Sequence, residues 1–70
     1  MERIAVESSN MESIWYDKWR MILEIEFSNN SIYQYLNVPE KKYYEIMGAD
    51  SHWKYLNSDI KGIYDFIQIL

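Results

Sequence analysis

The stretch MILEIEFSNNSIYQYLNV, residues 21–38, decides the fold. Its first half alternates two glutamates with four apolar residues, Met21, Leu23, Ile25 and Phe27. A period of two is typical of a strand with one face on the core and one face toward solvent. The pattern therefore predicts a half-buried strand ending at Phe27.

A tight turn follows this strand, because Ser28-Asn29-Asn30-Ser31 is polar and Asn tolerates the positive φ angles of a two-residue loop. The segment from Ile32 to Val38 is the predicted partner strand. The sequence thus predicts a β-hairpin with Asn29 and Asn30 as its loop.

The loop length fixes which way the tyrosines point. With a two-residue loop, Phe27 faces Ile32 and Glu24 faces Tyr35. Tyr33 and Tyr35 then share a face with the glutamates, away from Leu23 and Phe27. A loop one residue longer would reverse the tyrosines relative to Phe27, since neighbouring residues of a strand point to opposite faces.

Two shorter strands are predicted before the hairpin, around Ile4 to Val6 and Ile14 to Tyr16, the second leading into a turn at Asp17-Lys18. After the hairpin, Pro39 to about Met47 favours a helix that Gly48 stops.

A second helix is predicted after Asp50 or Ser51, either of which can cap it. It carries an apolar stripe, Trp53, Leu56 and Ile60, and Gly62 ends it. The tail 63–70 is apolar enough to need cover, as an added strand or as the interface of a homodimer. We predict one α+β domain over residues 1–70: a small antiparallel β-meander of three to four strands, then two short α-helices and an apolar C-terminal segment.

Composition narrows the class of protein. The chain has 70 residues, of which 49% are hydrophobic and 17% aromatic, so a dense core can offset the entropy of ordering a small domain. No cysteine is present for a disulfide or a thiolate metal site, and we expect neither metal nor cofactor. With no signal peptide or membrane-length apolar run, we expect a cytoplasmic location and no membrane partner. The net charge of −4 works against nonspecific binding to long polyanions.

Several segments together resemble the KTSC domain, a small module of bacterial and phage proteins that also occurs at the C-terminus of some lysyl-tRNA synthetases. The resembling residues are Val6-Glu7-Ser8-Ser9-Asn10, Tyr16-Asp17, Leu23 to Phe27, Tyr33-Gln34-Tyr35, Val38-Pro39, Tyr44, Ala49-Asp50-Ser51, Tyr55-Leu56-Asn57, Ile60-Lys61 and Tyr64. The resemblance implies the fold above and a suggested RNA-binding role. The family pattern has a glycine where this chain has Trp53.

No enzyme motif is recognisable. His52 stands alone and suits a surface or capping role, and the Glu24 and Glu26 pair is the ordinary outcome of a half-solvated strand. We therefore expect a non-enzymatic protein.

The candidate ligand-binding residues are Tyr33 and Tyr35 for stacking on a base, Lys54 and Lys61 for phosphate, and Ser51, Asn57 and Tyr64 for further contacts. In the helical pattern Lys54 and Lys61 lie on a similar flank. The structural alternative is that the tyrosines cover the sheet beneath the helices and the lysines are solubilising charges. We expect a module for a nucleotide or short single-stranded RNA, such as a phage-type nucleotide sponge.

A protein-interaction module or small acidic inhibitor of a host protein is the other reading of the same aromatic residues. Trp15, Trp19 and Tyr33 would be its anchors, because tryptophan and tyrosine are enriched at the centres of protein interfaces. The sequence leaves both functions open.

Overall fold

The computed structural model describes residues 3–6 and 8–70 and places five strands in one antiparallel sheet of order β1-β2-β3-β4-β5. The elements are β1 (Ile4–Ala5), β2 (Met11–Asp17), β3 (Ile22–Phe27), β4 (Ile32–Tyr35), α1 (Glu40–Gly48), α2 (His52–Tyr55), a π-helical segment (Leu56–Ile60) and β5 (Phe66–Gln68). The predicted α+β meander with two helices is confirmed. The apolar tail supplies the fifth strand, which pairs with β4.

The β2–β3 turn is held by Asp17, whose carboxylate accepts the backbone N–H of Trp19 at 3.0 Å and of Arg20 at 3.1 Å. Met21 closes the turn with a φ of 56°. The predicted turn after Tyr16 is confirmed.

The β3–β4 hairpin differs from its prediction. Phe27 N–H donates to Ser31 C=O at 2.9 Å, so the loop has three residues, and Asn30 takes the left-handed conformation with a φ of 70°. A type I turn followed by a left-handed residue is a common three-residue hairpin loop. The predicted two-residue loop of Asn29 and Asn30 is wrong.

The extra loop residue shifts the register by one. Leu23 pairs with Tyr35, and Ile25 pairs with Tyr33. Residues paired across strands share a face, so both tyrosines lie on the apolar face of β3 rather than beside the glutamates. The placement predicted from the shorter loop is therefore reversed.

The helices cover this apolar face and complete the core. Tyr16 donates its hydroxyl to Val38 C=O at 2.5 Å, and its ring stacks on Tyr43 of α1 with centroids 5.3 Å apart. The buried apolar side chains are Met11, Ile14, Tyr16, Leu23, Ile25, Tyr35, Val38, Tyr43, Ile46, Leu56 and Ile60. Every layer of the fold contributes to this set.

The helix ends follow their local chemistry. Pro39 is the residue before α1, and Ser51 caps α2 by accepting the N–H of Lys54 at 3.2 Å. Beyond α2 the chain widens into a π-helical turn, in which Lys61 N–H donates to Leu56 C=O at 2.8 Å. Gly62, with a φ of 83°, then redirects the chain toward β5.

No helix in the described part of the chain is long and apolar enough to cross a membrane.

Candidate functional site

A groove of about 370 Å³ opens between the tip of the β3–β4 hairpin and α2. Phe27 and Tyr33 form the hairpin side, and Trp53 and Leu56 form the helix side. The Phe27 ring stands edge-on to both Tyr33 and Trp53, with centroids 5.3 Å and 6.3 Å away. Three aromatic side chains that are each only partly buried therefore border the groove.

The groove lining also includes four residues with neutral polar side chains, namely Asn10, Ser28, Asn29 and Ser31. The Asn29 side-chain oxygen is already engaged, accepting the N–H of Ser31 at 3.1 Å and its hydroxyl at 2.6 Å. Its amide nitrogen remains a donor, since the oxygen alone serves the turn. The groove therefore presents amide and hydroxyl groups next to aromatic surface.

Lys61 is the charged residue of the groove lining. Its side chain is exposed, and none of the ion pairs between described residues involves it. The groove thus carries a local positive charge in a chain of net charge −4.

The two predicted stacking residues have different roles. Tyr35 is 1% exposed and lies at the bottom of the groove as part of the core, where burial and the neighbouring Tyr33 raise its pKa. Tyr33 is half-buried, and one face of its ring stacks on Phe66 of β5 at 5.1 Å with an interplanar angle of 12°. Tyr33 can offer a ligand its edge and hydroxyl, whereas Tyr35 mainly supports the floor.

Of the seven predicted ligand-binding residues, the structure brings three to the groove: Tyr33, Tyr35 and Lys61. Lys54 and Asn57 border a different, shallow concavity with Trp53 and Ser58. Ser51 caps α2, and Asn57 donates its side-chain N–H to Trp53 C=O at 2.8 Å. Tyr64 packs against the core.

The predicted common flank of Lys54 and Lys61 is absent for a geometric reason. The π-helical segment between them bonds residue i to residue i+5, so it turns through a smaller angle per residue than an α-helix. Lys61 also leaves the helix with an extended ψ of 128°. The two lysines therefore line separate surfaces.

Sequence reasoning placed Trp53 in the apolar stripe of the second helix rather than in the site. It is half-buried and borders the groove, the shallow concavity and a third hollow. The family pattern has glycine at this position, which was the signal that Trp53 places a side chain where the family has only backbone. Phe27 was expected only on the apolar side of its strand. No pattern assigned Asn10 to the site, because it comes from a turn distant in sequence.

The third hollow, of about 300 Å³, contains His52 together with Ser8, Ser9, Asn10, Asp50, Ser51 and Trp53. His52 Nδ1 lies 2.7 Å from Ile46 C=O near the end of α1. A carbonyl can only accept, so this contact places the proton on Nδ1 and gives His52 a role in ending the helix. No three His, Cys, Asp or Glu residues among those the structure describes are arranged to hold a metal ion.

The opposite face of the sheet carries a polar network. Glu24, 7% exposed, forms an ion pair with Arg3 and accepts the side-chain N–H of Gln34 at 2.8 Å. Ser13 accepts from Arg3 and donates to Glu26, both at 2.8 Å. These glutamates are structural partners within the sheet and lie away from the groove.

The three predicted protein-interaction anchors do not share one surface. Trp15 pairs with Glu24 and so lies on the polar face, whereas Tyr33 lies in the groove on the other face. Trp19 is 88% exposed in the β2–β3 turn, with the ammonium group of Lys18 over its ring at 5.5 Å. Only Trp19 is freely presented.

Comparison with known proteins finds relatives along almost the whole chain. Residues 7–64 match the KTSC domain. An uncharacterised protein of Stutzerimonas stutzeri (strain A1501) is 38% identical over 61 residues, covering 87% of this chain and 86% of that protein. A protein of Tsukamurella paurometabola is 32% identical over 56 residues, covering 80% of this chain and 84% of that protein.

A solved structure extends the likeness to the fold. The crystal structure of a KTSC domain protein from Yersinia pestis superimposes with a TM-score of 0.94 at 38% sequence identity, covering 99% of this chain and 97% of that one. The likeness therefore includes the C-terminal strand as well as the hairpin and helices.

Proposed function

The chain belongs to the KTSC domain family, and we propose that it is a non-enzymatic binding module whose groove takes one nucleotide, free or as a unit of a short single-stranded RNA. The observation that carries this proposal is the lining of the groove: aromatic rings, neutral amide and hydroxyl groups, and Lys61 as its charged side chain. Those three kinds of group match a base, its hydrogen-bonding edge and a phosphate.

The aromatic side chains supply the binding energy for the base. Stacking of a base on an aromatic residue contributes about 1–3 kcal/mol and tolerates any base, because every base has a π-face. Trp53 and Phe27 are the accessible rings, while Tyr33 adds its hydroxyl. The role that the sequence assigned to the tyrosine pair thus passes largely to Trp53.

The size of the groove favours a single nucleotide over a polymer. Its volume of about 370 Å³ lies at the lower end of the range for small-molecule sites. One lysine can balance one phosphate, and the net charge of −4 disfavours a long polyanion.

The corrected register also supports the proposal. Because Tyr33 and Tyr35 face away from Glu24 and Glu26, the lining residues of the groove include no carboxylate that would repel a phosphate. The lining pairs no nucleophile with a base either, so we propose binding without chemistry. The proposal places this activity in the cytoplasm, where nucleotides and RNA are available.

The test is an NMR titration with the four nucleoside monophosphates, cyclic nucleotides and a short RNA at low salt. Three indole N–H signals report separately: Trp53 borders the groove, whereas Trp15 and Trp19 lie elsewhere and serve as internal controls. We expect a saturable shift of the Trp53 signal with the other two unchanged. The proposal fails if no nucleotide or RNA shifts Trp53 or the amides of Phe27 and Tyr33.

Two lysine variants test the phosphate contact. Lys61→Gln is expected to weaken nucleotide binding about fivefold, which corresponds to ~1 kcal/mol for an exposed ionic contact, and to leave nucleoside binding unchanged. Lys54→Gln removes the same charge from the other side of Trp53 and is expected to bind nucleotides like the wild type. Equal losses in both variants would assign the effect to overall charge instead of to the groove.

A second candidate function rests on Trp19. A tryptophan that is 88% exposed at a hairpin tip has the form of an interface anchor, which supports a protein-interaction module or small inhibitor. In a pull-down from host lysate, Trp19→Ala is expected to abolish recovery of a specific partner, with Trp53→Ala as the matched control. Unchanged recovery with Trp19→Ala would remove this candidate.

A further inference from the structure

The outer edge of β5 is an unpaired strand edge. On the inner side, Leu36 N–H donates to Asp65 C=O and Ile69 N–H donates to Ile32 C=O, both at 2.8 Å. Backbone groups alternate in direction along an antiparallel strand, so the N–H and C=O groups of Phe66 and Gln68 point outward. In the described part of the chain, no other strand pairs with this edge.

This edge lacks two of the features that usually prevent strand pairing, charged side chains and proline. From residue 66 to 70 there is no charged side chain and no proline, and four apolar residues are about half exposed or more: Phe66, Ile67, Ile69 and Leu70. Charged side chains and proline are common means of protecting an edge. At the other edge β1 has only two residues and directly follows Arg3.

We propose that a second copy of the chain pairs antiparallel with β5 and that the two five-stranded sheets become one ten-stranded sheet. The backbone directions place Ile67 on the two-fold axis, as a pair without mutual hydrogen bonds. Phe66 then faces Gln68 of the partner subunit, and the two equivalent pairs form four backbone hydrogen bonds.

Charge and symmetry favour a second copy as the occupant. In the two-fold register Asp65, the acidic side chain that directly precedes β5, faces Ile69 of the partner subunit instead of another aspartate. No two like-charged side chains are paired along the two strands, although the chain as a whole is acidic. The pairing is self-complementary and closes after two copies.

The dimer also extends the aromatic surface of the fold. Phe66 already stacks on Tyr33, which borders the groove, so β5 joins the edge to the groove through one ring contact. A two-fold axis perpendicular to the sheet keeps both helical layers, and both grooves, on the same side. The inference does not depend on what the groove binds.

The test uses analytical ultracentrifugation to measure how the average molecular mass of the protein changes with its concentration, up to the millimolar range. We expect a reversible monomer–dimer equilibrium, because the small paired edge places the interface at the weak end of the range for specific association. Gln68→Pro removes an outward N–H and keeps the β4 hydrogen bonds, so we expect at least tenfold weaker dimerisation in a folded chain. Ile67→Lys is expected to do the same by placing two lysines on the axis.

Ile4→Lys on β1 is the matched control and is expected to dimerise like the wild type. Hydrogen exchange provides a readout independent of variants: protection of the Phe66 and Gln68 amides rises with concentration, while that of Ile67 is constant. A wild-type chain that stays monomeric at millimolar concentration overturns the inference. A dimer that is equally strong in folded Gln68→Pro and Ile67→Lys variants, or constant exchange at Phe66 and Gln68, overturns it too.

Discussion

The two faces of the sheet are built from the same strands but are stabilised differently. On the covered face, Leu23 and Tyr35 are sealed beneath the helices. On the open face, Glu24 reaches 7% exposure without a helix above it, because Arg3 and Gln34 lie over it and satisfy its carboxylate. Apolar packing buries the side chains of the covered face, whereas a network of hydrogen bonds and an ion pair buries Glu24 on the open face.

This difference explains why the groove lies where it does. Polar side chains on the open face are occupied with each other, whereas the aromatic side chains of the covered face continue past the helices to the hairpin tip. A surface with partly exposed rings, the amide donor of Asn29 and the charge of Lys61 can accept a ligand. We therefore expect substitutions on the two faces to have different consequences.

The largest expected effect is on the covered face. Tyr35→Ala removes a side chain that is 1% exposed and should reduce the free energy of unfolding by about 3–5 kcal/mol through a buried cavity. Tyr33→Ala, at a half-buried neighbour on the same strand, should cost only about 1–2 kcal/mol. Urea unfolding measures both. Equal losses would mean that the groove side of the sheet is packed as tightly as its core.

A smaller loss is expected on the open face. Glu24→Gln removes the charge that pairs with Arg3 and should cost about 1–2 kcal/mol, because the partly exposed Arg3 can regain water. Glu26→Gln, at a side chain 33% exposed and 4.0 Å from Arg3, is the control and should cost less than ~1 kcal/mol. Urea unfolding at neutral pH compares the two. If Glu24→Gln costs no more than its control, the network does not stabilise this face.

Alkaline pH should lower the free energy of unfolding through Tyr55. Burial, the hydrogen bond to Glu45 and nearby negative charges raise the pKa of Tyr55. The folded state therefore holds the phenol proton more tightly than the unfolded chain, whose tyrosine pKa is about 10. This contribution is fully present below pH ~10 and is lost as the pH rises toward the folded-state pKa, at up to about 1.4 kcal/mol per pH unit.

Unfolding measurements from about pH 8 to 11 test this slope. Tyr55→Phe should show a shallower decline than the wild type. Parallel curves for the wild type and Tyr55→Phe would contradict the assignment to Tyr55.

The smallest expected effect is in the β3–β4 loop, whose length decides which face of the sheet carries Tyr33 and Tyr35. Asn30 has a φ of 70°, so Asn30→Gly should increase the free energy of unfolding by about 0.5 kcal/mol. Asn29→Gly should instead lower it by ~0.5–1 kcal/mol, because the Asn29 side chain accepts two hydrogen bonds from Ser31. Thermal unfolding resolves the two signs. Stabilisation by Asn29→Gly would argue against the three-residue loop.

The sequence predicted individual strands and helix starts, but it predicted poorly which side chains of different elements lie together. The alternation around Ile25, the cap at Ser51 and the position of Pro39 predicted a strand and two helix starts that the structure confirms. These signals are local, since each depends on backbone chemistry within a few residues. The groove combines the β1–β2 loop, the hairpin, α2 and Lys61, and such a combination leaves no local signal.

Two predictions failed for related reasons. The register of Tyr33 and Tyr35 depended on one loop residue, and both loop lengths suit Asn29 and Asn30. The common flank of Lys54 and Lys61 assumed a regular α-helix, but the chain forms a π-helical turn between them. In the hairpin an extra loop residue, and in the helix a wider turn, moved the side chains to a different surface.

The sequence by itself determined that this chain forms a meander and two helices, because hydrophobic periodicity and end signals act over short distances. Only the tertiary structure decided which face carries the tyrosines, that Trp53 and Lys61 meet at one groove, and that β5 leaves an open edge. These outcomes depend on which of several similar strand registers packs best. Packing is decided by the whole core and not by any single segment.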